Sequence, residues 1–339
     1  MLVYQLDLSK KGFAAIQRVE RPTPKPAPGE VLVRMYAWSL NFRDLLIING
    51  LYPVATGAKE IIPVCDGAGE VVEIGAGVTR FAKGDRVVTT FFQGWIDGPL
   101  TYPAMGTALG GAVNGVLAEY SALSEQGLVK MPQSLSYEAA ATLPCAGVTA
   151  WHALIETGQL RSGQTVLALG TGGVSIIGLQ LAKAKGARVI ITSSSDEKLA
   201  RAKALGADMV VNYKKAPDWD EEVIRLTSGT GADHVLETGG AGTFQKSAKA
   251  LSIHGQINII GVLTGLQNNL DLTPVLVKVA RVQGIYVGSR AMLERLVQEV
   301  VSKRIAPVVD KVFPFDKAVE AYQYLASGQH FGKVVIRRD

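Results

Sequence analysis

Cysteine is scarce in this chain of 339 residues, which has only Cys65 and Cys145. Two cysteines cannot form a disulfide framework or a structural zinc site with four cysteine ligands. Long apolar runs are also lacking. The longest uncharged stretch, residues 162–182, contains five glycines, so it predicts a strand, a turn and a buried helix rather than a membrane span. The first ten residues lack a basic segment followed by an apolar run, so we expect no signal peptide and a soluble, cytoplasmic protein.

Charge of one sign is not concentrated anywhere in the sequence. The 35 basic and 30 acidic residues leave a net charge of +5, and the basic residues are scattered rather than gathered in an arm or stripe. This pattern disfavours nucleic-acid binding and is compatible with an anionic small-molecule cofactor. A hydrophobic fraction of 47% indicates a compact globular protein, and the length suggests about two domains.

The first 125 residues have the pattern of a β-rich domain. Short apolar alternations such as Glu30–Tyr36, Gly69–Ile74 and Gly84–Thr90 are separated by glycine and proline, which predicts a twisted β unit with closely spaced turns. Residues 91–117 are rich in glycine and lack periodicity, so we expect a long loop there.

Residues 126–289 have the pattern of an α/β domain, because apolar strands alternate with helices from Thr165 onward. Such alternation favours a doubly wound parallel sheet covered on both faces. We expect a further helix and a last strand, Lys333–Ile336, in residues 290–339. The predicted strands of the sheet are Thr165–Leu169, Arg188–Thr192, Met209–Asn212, His234–Glu237, Gln256–Ile260 and Gln283–Val287.

A glycine-rich turn, Gly170-Thr171-Gly172-Gly173-Val174-Ser175, joins the first of these strands to a helix. Glycines at this point allow the backbone to approach a pyrophosphate, and the helix N-terminus offers free N–H groups. Ser175 takes the place of the third glycine of the usual motif. The position of the turn between strand and helix predicts dinucleotide binding.

The end of the second strand bears on which nicotinamide cofactor is bound. Many NAD-binding folds place an acid there for the ribose 2′-hydroxyl, whereas this chain has Ser193. Small hydroxyls near Lys198 suit a 2′-phosphate, so we favour NADPH over NADH. Asp196 could instead be the ribose acid, and Ser194-x-x-Glu197 also fits a helix capping box.

Three further segments are informative: residues 63–72 (PVCDGAGEVV), residues 143–151 (LPCAGVTAW) and residues 330–335 (HFGKVV). With them, the chain resembles the medium-chain dehydrogenase/reductase superfamily over almost its whole length. The resemblance implies a GroES-like catalytic domain, residues 1–125 and 290–339, and a Rossmann domain, residues 126–289. It also implies that the C-terminal helix and strand return to the first domain.

The zinc enzymes of this superfamily hold their catalytic metal with cysteine and histidine. The resemblance places Asn41, Cys65 and Cys145 at the three ligand positions and Asp66 beside them. Because an asparagine amide is a poor zinc ligand, we expect no zinc, although Cys65, Asp66 and Cys145 could still form a metal site. Free cysteines are also commonly small buried apolar residues.

Two segments, Asn41-Phe42-Arg43-Asp44 and Gly50-Leu51-Tyr52-Pro53, fit a particular branch of the superfamily. In them the chain resembles the zinc-independent members close to the quinone oxidoreductases. Hydride transfer from NADPH to a conjugated carbonyl or a quinone suits a site without a metal. The resemblance implies that Asn41, Asp44 and Tyr52 line the substrate cleft. We expect Asn41 to donate a hydrogen bond to the developing oxygen or to order nearby water, Asp44 to organise the loop, and Tyr52 to be a donor or an aromatic wall. Asp44 fits a simple Asx turn equally well. Other expected cleft residues are Phe91, Trp95, Cys65 and Cys145, of which the two aromatics fit packing anchors equally well.

The resemblance also assigns residues to the cofactor. Thr149 is expected near the nicotinamide, and Lys333 to reach the cofactor. The remaining expected contacts are Gly170, Gly172, Gly173 and Val174 at the pyrophosphate, Ser193, Ser194, Lys198 and Tyr213 at the 2′-phosphate, and Gly239, Gly261 and Val262 at strand ends.

Two other functions remain open from the sequence. One is a zinc-dependent alcohol dehydrogenase acting on a small alcohol or aldehyde, and the other is a non-catalytic NADPH-binding protein. We expect a small-molecule substrate, whose identity the sequence does not give, and a homodimer paired through the strand Gly284–Val287 at a sheet edge.

Overall fold

The computed structural model describes residues 1–54 and 57–338. The chain forms two compact units. Unit 1 comprises residues 1–148 and the C-terminal segment from residue 287 onward, and unit 2 comprises residues 149–286. Among the described residues, no helix is long and apolar enough to cross a membrane.

Unit 1 is mainly β-structure, with short helices between the strands. Its first segment contains β1 (Leu2–Asp7), β2 (Ile16–Glu20), β3 (Glu30–Leu40), α1 (Phe42–Ile48), β4 (Glu60–Ile61), β5 (Asp66–Ile74), β6 (Arg86–Thr89), α2 (Tyr102–Met105), β7 (Tyr120–Ser124), β8 (Leu128–Lys130) and α3 (Tyr137–Ala141). The expected loop of residues 91–117 therefore contains the short helix α2. Helix α4 (Val148–Trp151) follows a π-helical turn, Leu143–Gly147, and begins at the last residue of this segment.

Unit 2 follows as a regular alternation of strands and helices. Its elements are β9 (Thr165–Ala168), α5 (Gly173–Ala184), β10 (Arg188–Ser193), α6 (Asp196–Ala204), β11 (Met209–Asn212), α7 (Trp219–Leu226), β12 (Ala232–Glu237), α8 (Ala241–Ala250), β13 (Leu251–Ile259), α9 (Thr273–Val277) and β14 (Arg281–Gly284). Unit 1 then resumes with α10 (Arg290–Ser302), β15 (Val309–Pro314), α11 (Ala318–Ala326) and β16 (Lys333–Arg337).

The main sheet of unit 1 brings distant parts of the chain together. Its seven strands include the order β15-β16-β3-β5-β6-β8, and β7 also pairs with β3. Strand β16 runs antiparallel to β3, with Val334 opposite Leu40. Gly69 of β5 packs so closely on β3 that a Cβ there would lie 2.2 Å from the Arg34 carbonyl oxygen. Because Val334 lies opposite Leu40, the C-terminal strand begins beside the end of β3, where α1 starts.

The first segment of unit 1 extends further along the chain than the expected boundary at residue 125. Strand β8 pairs with β6 in the main sheet, with Val88 opposite Val129, and the ring of Tyr137 in α3 stacks on Tyr36 of β3. These contacts hold residues 126–148 in unit 1. The change of sequence pattern at residue 126 therefore does not mark the boundary, because strand pairing and ring packing join these residues to earlier strands.

Unit 2 contains the predicted doubly wound sheet. Its six strands are all parallel and follow the order β11-β10-β9-β12-β13-β14. Leu167, Ile190, Val235 and Ile257 are buried in its core, as expected for strands covered on both faces. The order reverses between β9 and β12, and ligands of such sheets bind at the carboxyl ends of the strands on either side of this point. The edge strand is β14, so the expected strand Gln283–Val287 was placed too late in the sequence.

Candidate functional site

The glycine turn of unit 2 has the geometry that a pyrophosphate requires. Gly170 follows β9 with a φ of 75°, a left-handed conformation that favours glycine, and Gly172 is the N-terminal cap of α5. A Cβ on Gly172 would meet no other atom within 4 Å. The Ser175 hydroxyl donates to the Leu169 carbonyl at 2.6 Å, so it ties the helix to the strand end. Open space therefore lies beside Gly172 at the start of α5, where a helix has N–H groups without partners in the helix.

The end of β10 lies beside this turn. Ser193 is its buried last residue, and the Thr192 hydroxyl accepts a hydrogen bond from Gly170 N–H at 3.2 Å. Helix α6 is capped by Ser195, whose hydroxyl accepts from Lys198 N–H at 3.3 Å. The expected capping box at Ser194 was therefore wrong by one residue, because the chain turns into the helix after Ser195.

Asp196 is engaged by its neighbours. Its carboxylate accepts from Asn212 Nδ2 at 2.7 Å and from Lys215 Nζ at 2.5 Å. The hydrogen bond from Lys215 holds the pKa of Asp196 below its usual value. This side chain therefore has two polar partners other than a ribose hydroxyl.

The other expected cofactor residues occupy different environments. Thr149 is buried in α4, Tyr213 is exposed after β11, and Gly261 and Val262 follow β13. Lys333 lies in unit 1, where Nζ donates to the Leu40 carbonyl at 2.6 Å and to Asn41 Oδ1. Its interactions are thus with the expected catalytic residue Asn41, and its reach to a cofactor stays a prediction.

Asn41 is the centre of a buried polar cluster in unit 1. Its amide Nδ2 donates to Asp66 Oδ2 at 2.9 Å, while Lys333 binds its Oδ1. Lys333 Nζ also lies 3.9 Å from Asp66. Burial raises the pKa of Asp66, and the nearby Lys333 opposes that shift. In the described part of the chain, the further contacts of Asn41 Nδ2 are longer, with the Ser39 carbonyl at 3.4 Å and Cys65 Sγ at 3.8 Å.

Asp44 supports Asn41 from the first turn of α1. Its Oδ2 accepts from Asn41 N–H at 2.8 Å, which fixes the backbone where β3 ends. Complete burial raises the pKa of Asp44 to about 6, although the neighbouring Arg43 works against this. The side chain therefore holds the backbone at the start of α1, and its role in a catalytic loop stays a prediction.

Arg43 is a central residue that the sequence interpretation missed. Its guanidinium lies 4.9 Å from the ring centroid of Tyr52 and 4.4 Å from that of Phe91, and Nη1 donates to the Leu109 carbonyl at 2.8 Å. These are cation–π distances. The expected cleft residue Tyr52 thus packs on a buried cation, a relation between distant positions that the sequence alone does not signal.

The two aromatic cleft candidates are buried. Phe91 packs edge-on against Phe92 at 4.6 Å, and Trp95 Nε1 donates to the Gly98 carbonyl at 2.8 Å. Both side chains thus have the contacts of local packing anchors. Their place in a substrate cleft stays a prediction.

The thiols of Cys65 and Cys145 and the carboxylate of Asp66 all lie within 4.8 Å of one another. Cys65 Sγ donates to Asp66 Oδ1 at 3.1 Å, and burial raises the pKa of the Cys65 thiol. Val64, which precedes it, is buried with a φ of 70°, a strained conformation for a β-branched residue.

This donor set does not fit the catalytic zinc of the zinc-dependent relatives. Zinc prefers thiolate, imidazole and carboxylate ligands, whereas one ligand position holds Asn41, whose only suitable atom is bound to Lys333. Both oxygens of Asp66 are also engaged, by Cys65 and Asn41. Three potential ligands are close together, and two of them, Cys65 and Asp66, are hydrogen-bonded to each other.

Comparison with known proteins places this geometry in a family. A model described as an alcohol dehydrogenase GroES-like domain matches residues 27–133, and one described as a zinc-binding dehydrogenase matches residues 173–302. A zinc-type alcohol dehydrogenase-like protein of Schizosaccharomyces pombe is 45% identical over 335 residues, covering 97% of this chain and 96% of that protein. The chain belongs to the medium-chain dehydrogenase/reductase superfamily. It is therefore an oxidoreductase of that type.

Other similar members of the superfamily differ in their reactions. The acryloyl-coenzyme A reductase of Metallosphaera sedula is 32% identical, covering 92% of this chain and 93% of that protein. The structure of an NAD-dependent alcohol dehydrogenase matches with a TM-score of 0.89 and 35% identity, covering 99% of both chains. A mycobacterial protein complexed with NADPH matches with a TM-score of 0.84 and 27% identity, covering 99% of this chain and all of that one. A quinone oxidoreductase of Pseudomonas syringae matches with a TM-score of 0.82 and 29% identity, covering 99% of both chains.

Proposed function

We propose that this protein transfers a hydride from NADPH to a small conjugated carbonyl compound or quinone, without a metal ion. The observation that carries the proposal is the binding of Asn41 Oδ1 by Lys333, which leaves an amide N–H rather than a ligand oxygen at a metal-ligand position. Reductases of acryloyl-coenzyme A and of quinones among the relatives support this class of substrate.

Asn41 is the residue that we propose to act on the substrate. When negative charge develops on a conjugated oxygen, a fixed N–H donor stabilises it. Within the residues that the structure describes, the contacts of Asn41 Nδ2 other than that with Asp66 are long, so its second amide hydrogen can take this role. Asp44 and Lys333 hold the amide from its backbone and its oxygen, and we propose that Tyr52 forms a wall of the cleft.

The start of α5 and the end of β10 are the proposed pyrophosphate and 2′-phosphate sites. Bound NADPH would supply the hydride. We propose that Ser193, Ser194 and Lys198 bind the 2′-phosphate, because Asp196 is bound by Asn212 and Lys215. The dissociation constants of NADPH and NADH test this preference for the cofactor that carries a 2′-phosphate.

We expect tighter binding of NADPH, and we expect Lys198→Ala to narrow the difference about tenfold, because one charged hydrogen bond is lost. Lys203→Ala, in the last turn of the same helix, is the matched control and should leave the ratio unchanged. Equal constants for the two cofactors in the unmodified protein would contradict the assignment.

A screen of NADPH consumption tests the reaction itself. The acceptors are quinones, enones, an α,β-unsaturated coenzyme A thioester and aldehydes, and alcohols are tested in the reverse direction by formation of NADPH from NADP⁺. Turnover of a conjugated acceptor by protein free of metal is the expected result. Binding of NADPH without turnover of any of these compounds would favour a non-catalytic NADPH-binding protein.

A zinc-dependent alcohol dehydrogenase is the second candidate, since Cys65, Asp66 and Cys145 lie close enough to share an ion. Metal analysis of protein purified without added zinc separates the two candidates. About one zinc per chain, lost in Cys145→Ser, would favour the alcohol dehydrogenase over our proposal.

We also propose that two copies of the chain pair through the edge strand β14. All four of its residues are exposed, and α9 before it exposes Leu276 and Val277. Unpaired edges with apolar neighbours are suited to self-association. Analytical ultracentrifugation should give a dimer for the natural chain and a monomer for Val282→Lys, whereas a monomeric natural chain would contradict the proposal.

A further inference from the structure

Glu237 is the last residue of β12, one of the two strands between which the strand order reverses. Its side chain is completely buried in unit 2. A buried carboxyl group is costly unless its oxygens are fully hydrogen-bonded, so its partners indicate what it holds in place.

Four donors converge on the Glu237 carboxylate. Oε1 accepts from Gly239 N–H at 2.8 Å, Gly240 N–H at 2.9 Å and the Thr243 hydroxyl at 2.6 Å. Oε2 accepts from the Ser247 hydroxyl. Two of these donors are backbone groups of the turn that follows β12, and the other two belong to α8. The carboxylate thereby fixes the turn and the start of the helix as one unit.

The backbone of the same residue fixes the next turn. The Glu237 carbonyl accepts from Ile260 N–H at 2.9 Å and Gly261 N–H at 3.1 Å, where β13 ends. The two turns are also joined directly, because Thr264 N–H donates to the Gly239 carbonyl at 2.7 Å. Glu237 is therefore common to both turns at the carboxyl ends of β12 and β13.

The strand order indicates which half of a dinucleotide these turns face. The proposed pyrophosphate site is at the end of β9, and the proposed 2′-phosphate site is at the end of β10, on one side of β9. A dinucleotide lies across the point where the order reverses. Its other half must therefore lie over β12 and β13.

We propose that Glu237 is a positioning residue for the nicotinamide half of the cofactor, acting through the backbone of the turns that contain Gly239 and Gly261. The inference rests on the proposed cofactor binding and goes beyond it, because it assigns a role to a side chain that would not touch the cofactor. Glu237 holds the turns in one conformation before binding, so the nicotinamide half meets a surface that is already ordered.

The test compares a whole dinucleotide with its adenosine fragment in two variants. Glu237→Met removes the acceptor. Glu237→Gln keeps an acceptor, because its amide oxygen can accept hydrogen bonds at the position of Oε1. Its NH₂ group can donate to the Ser247 hydroxyl, since a hydroxyl accepts as well as donates. Dissociation constants are measured for NADPH and for 2′,5′-ADP, or for NADH and ADP if the natural chain prefers NADH.

We expect Glu237→Met to weaken dinucleotide binding about tenfold or more and to change binding of the adenosine fragment less than about twofold. The reason is that the lost charge-assisted hydrogen bonds order only the turns that face the nicotinamide half. Glu237→Gln should restore most of the affinity. Faster hydrogen exchange at Gly239 and Gly240 in the methionine variant should accompany the loss. Thr243→Val, which removes one donor and serves if Glu237→Met does not fold, should give a smaller effect of the same kind.

Equal weakening of dinucleotide and fragment would overturn the inference, since it would show only a structural role. Unchanged dinucleotide binding in Glu237→Met or, should that variant not fold, in Thr243→Val would also overturn it. In both cases the proposed function would stand, because the natural chain still binds its cofactor. A natural chain that binds neither dinucleotide would instead overturn the proposed function and this inference with it.

Discussion

The glycine turn of unit 2 and the polar cluster of unit 1 are two contrasting ways of building a site. The turn consists of six adjacent residues, and its chemistry comes from backbone N–H groups at the start of α5. The cluster joins Asn41 to Asp66, 25 positions away, and to Lys333, 292 positions away. Its chemistry comes from buried charges that neutralise each other. The first is a local property of the sequence, and the second exists only when the sheet has formed.

Removal of the cation from the cluster should have the largest effect. Lys333→Met leaves the carboxylate of Asp66 without its cation and the oxygens of Leu40 and Asn41 without their donor. Loss of one partner from a buried charged pair costs about 3–5 kcal/mol. Urea unfolding should show this loss, and Lys333→Arg should retain part of the stability. A loss below about 1 kcal/mol would mean that the cluster stabilises the fold no more than a surface pair does.

Filling the open turn should affect binding rather than folding. Gly172→Val adds a side chain where no protein atom lies within 4 Å, at a φ of −81° that any residue adopts. We expect NADPH binding to fall about 100-fold, or about 2.7 kcal/mol, with an unchanged melting temperature. Gly172→Ala should give a smaller loss. Equal affinity in the valine variant would show that the pyrophosphate lies elsewhere.

The pH dependence of stability tests the raised pKa of Asp44, which lies in the first turn of α1 beside the cluster. Because the pKa of Asp44 is raised to about 6, its contribution to stability is fully present below its ordinary value and is lost as the pH rises through about 6. Asp44→Asn should therefore gain about 1–3 kcal/mol relative to the natural chain between pH 4 and pH 7.5. Denaturant unfolding at the two pH values measures this. A constant difference between the two proteins would contradict the raised pKa.

The smallest effect that we expect separates chemistry from cofactor binding. Asn41→Ala should lower kcat about tenfold through loss of one hydrogen bond to the developing charge. The NADPH dissociation constant should change less than about twofold, because the turn lies in unit 2. Stopped-flow kinetics and a fluorescence titration give the two values. Unchanged kcat would remove Asn41 from the proposed mechanism.

Much of the fold followed from the sequence, because periodicity and glycine placement are local. The strands near Thr165, Arg188 and Met209 were predicted within one residue of their observed limits. The predicted helix cap was one residue before the observed cap Ser195, and the predicted edge strand began two residues after the first residue of β14. Several adjacent residues have side chains that suit a cap or a strand end, so the sequence does not select one of them. The domain boundary was also displaced, because β8 pairs with a strand that lies far from it in sequence.

The sequence by itself determined the glycine-rich turn between β9 and α5 and the residue types at the superfamily's metal-ligand positions, where Asn41 stands beside Cys65 and Cys145, because both depend on which residue types stand at a few positions. The tertiary structure alone decided what Asn41, Arg43 and Glu237 contact. The antiparallel register of β16 with β3 places Lys333 beside Asn41, and the packing of Tyr52 and Phe91 encloses Arg43. Hydrogen bonds and cation–π contacts act over a few ångströms, so only the folded chain brings such partners within reach.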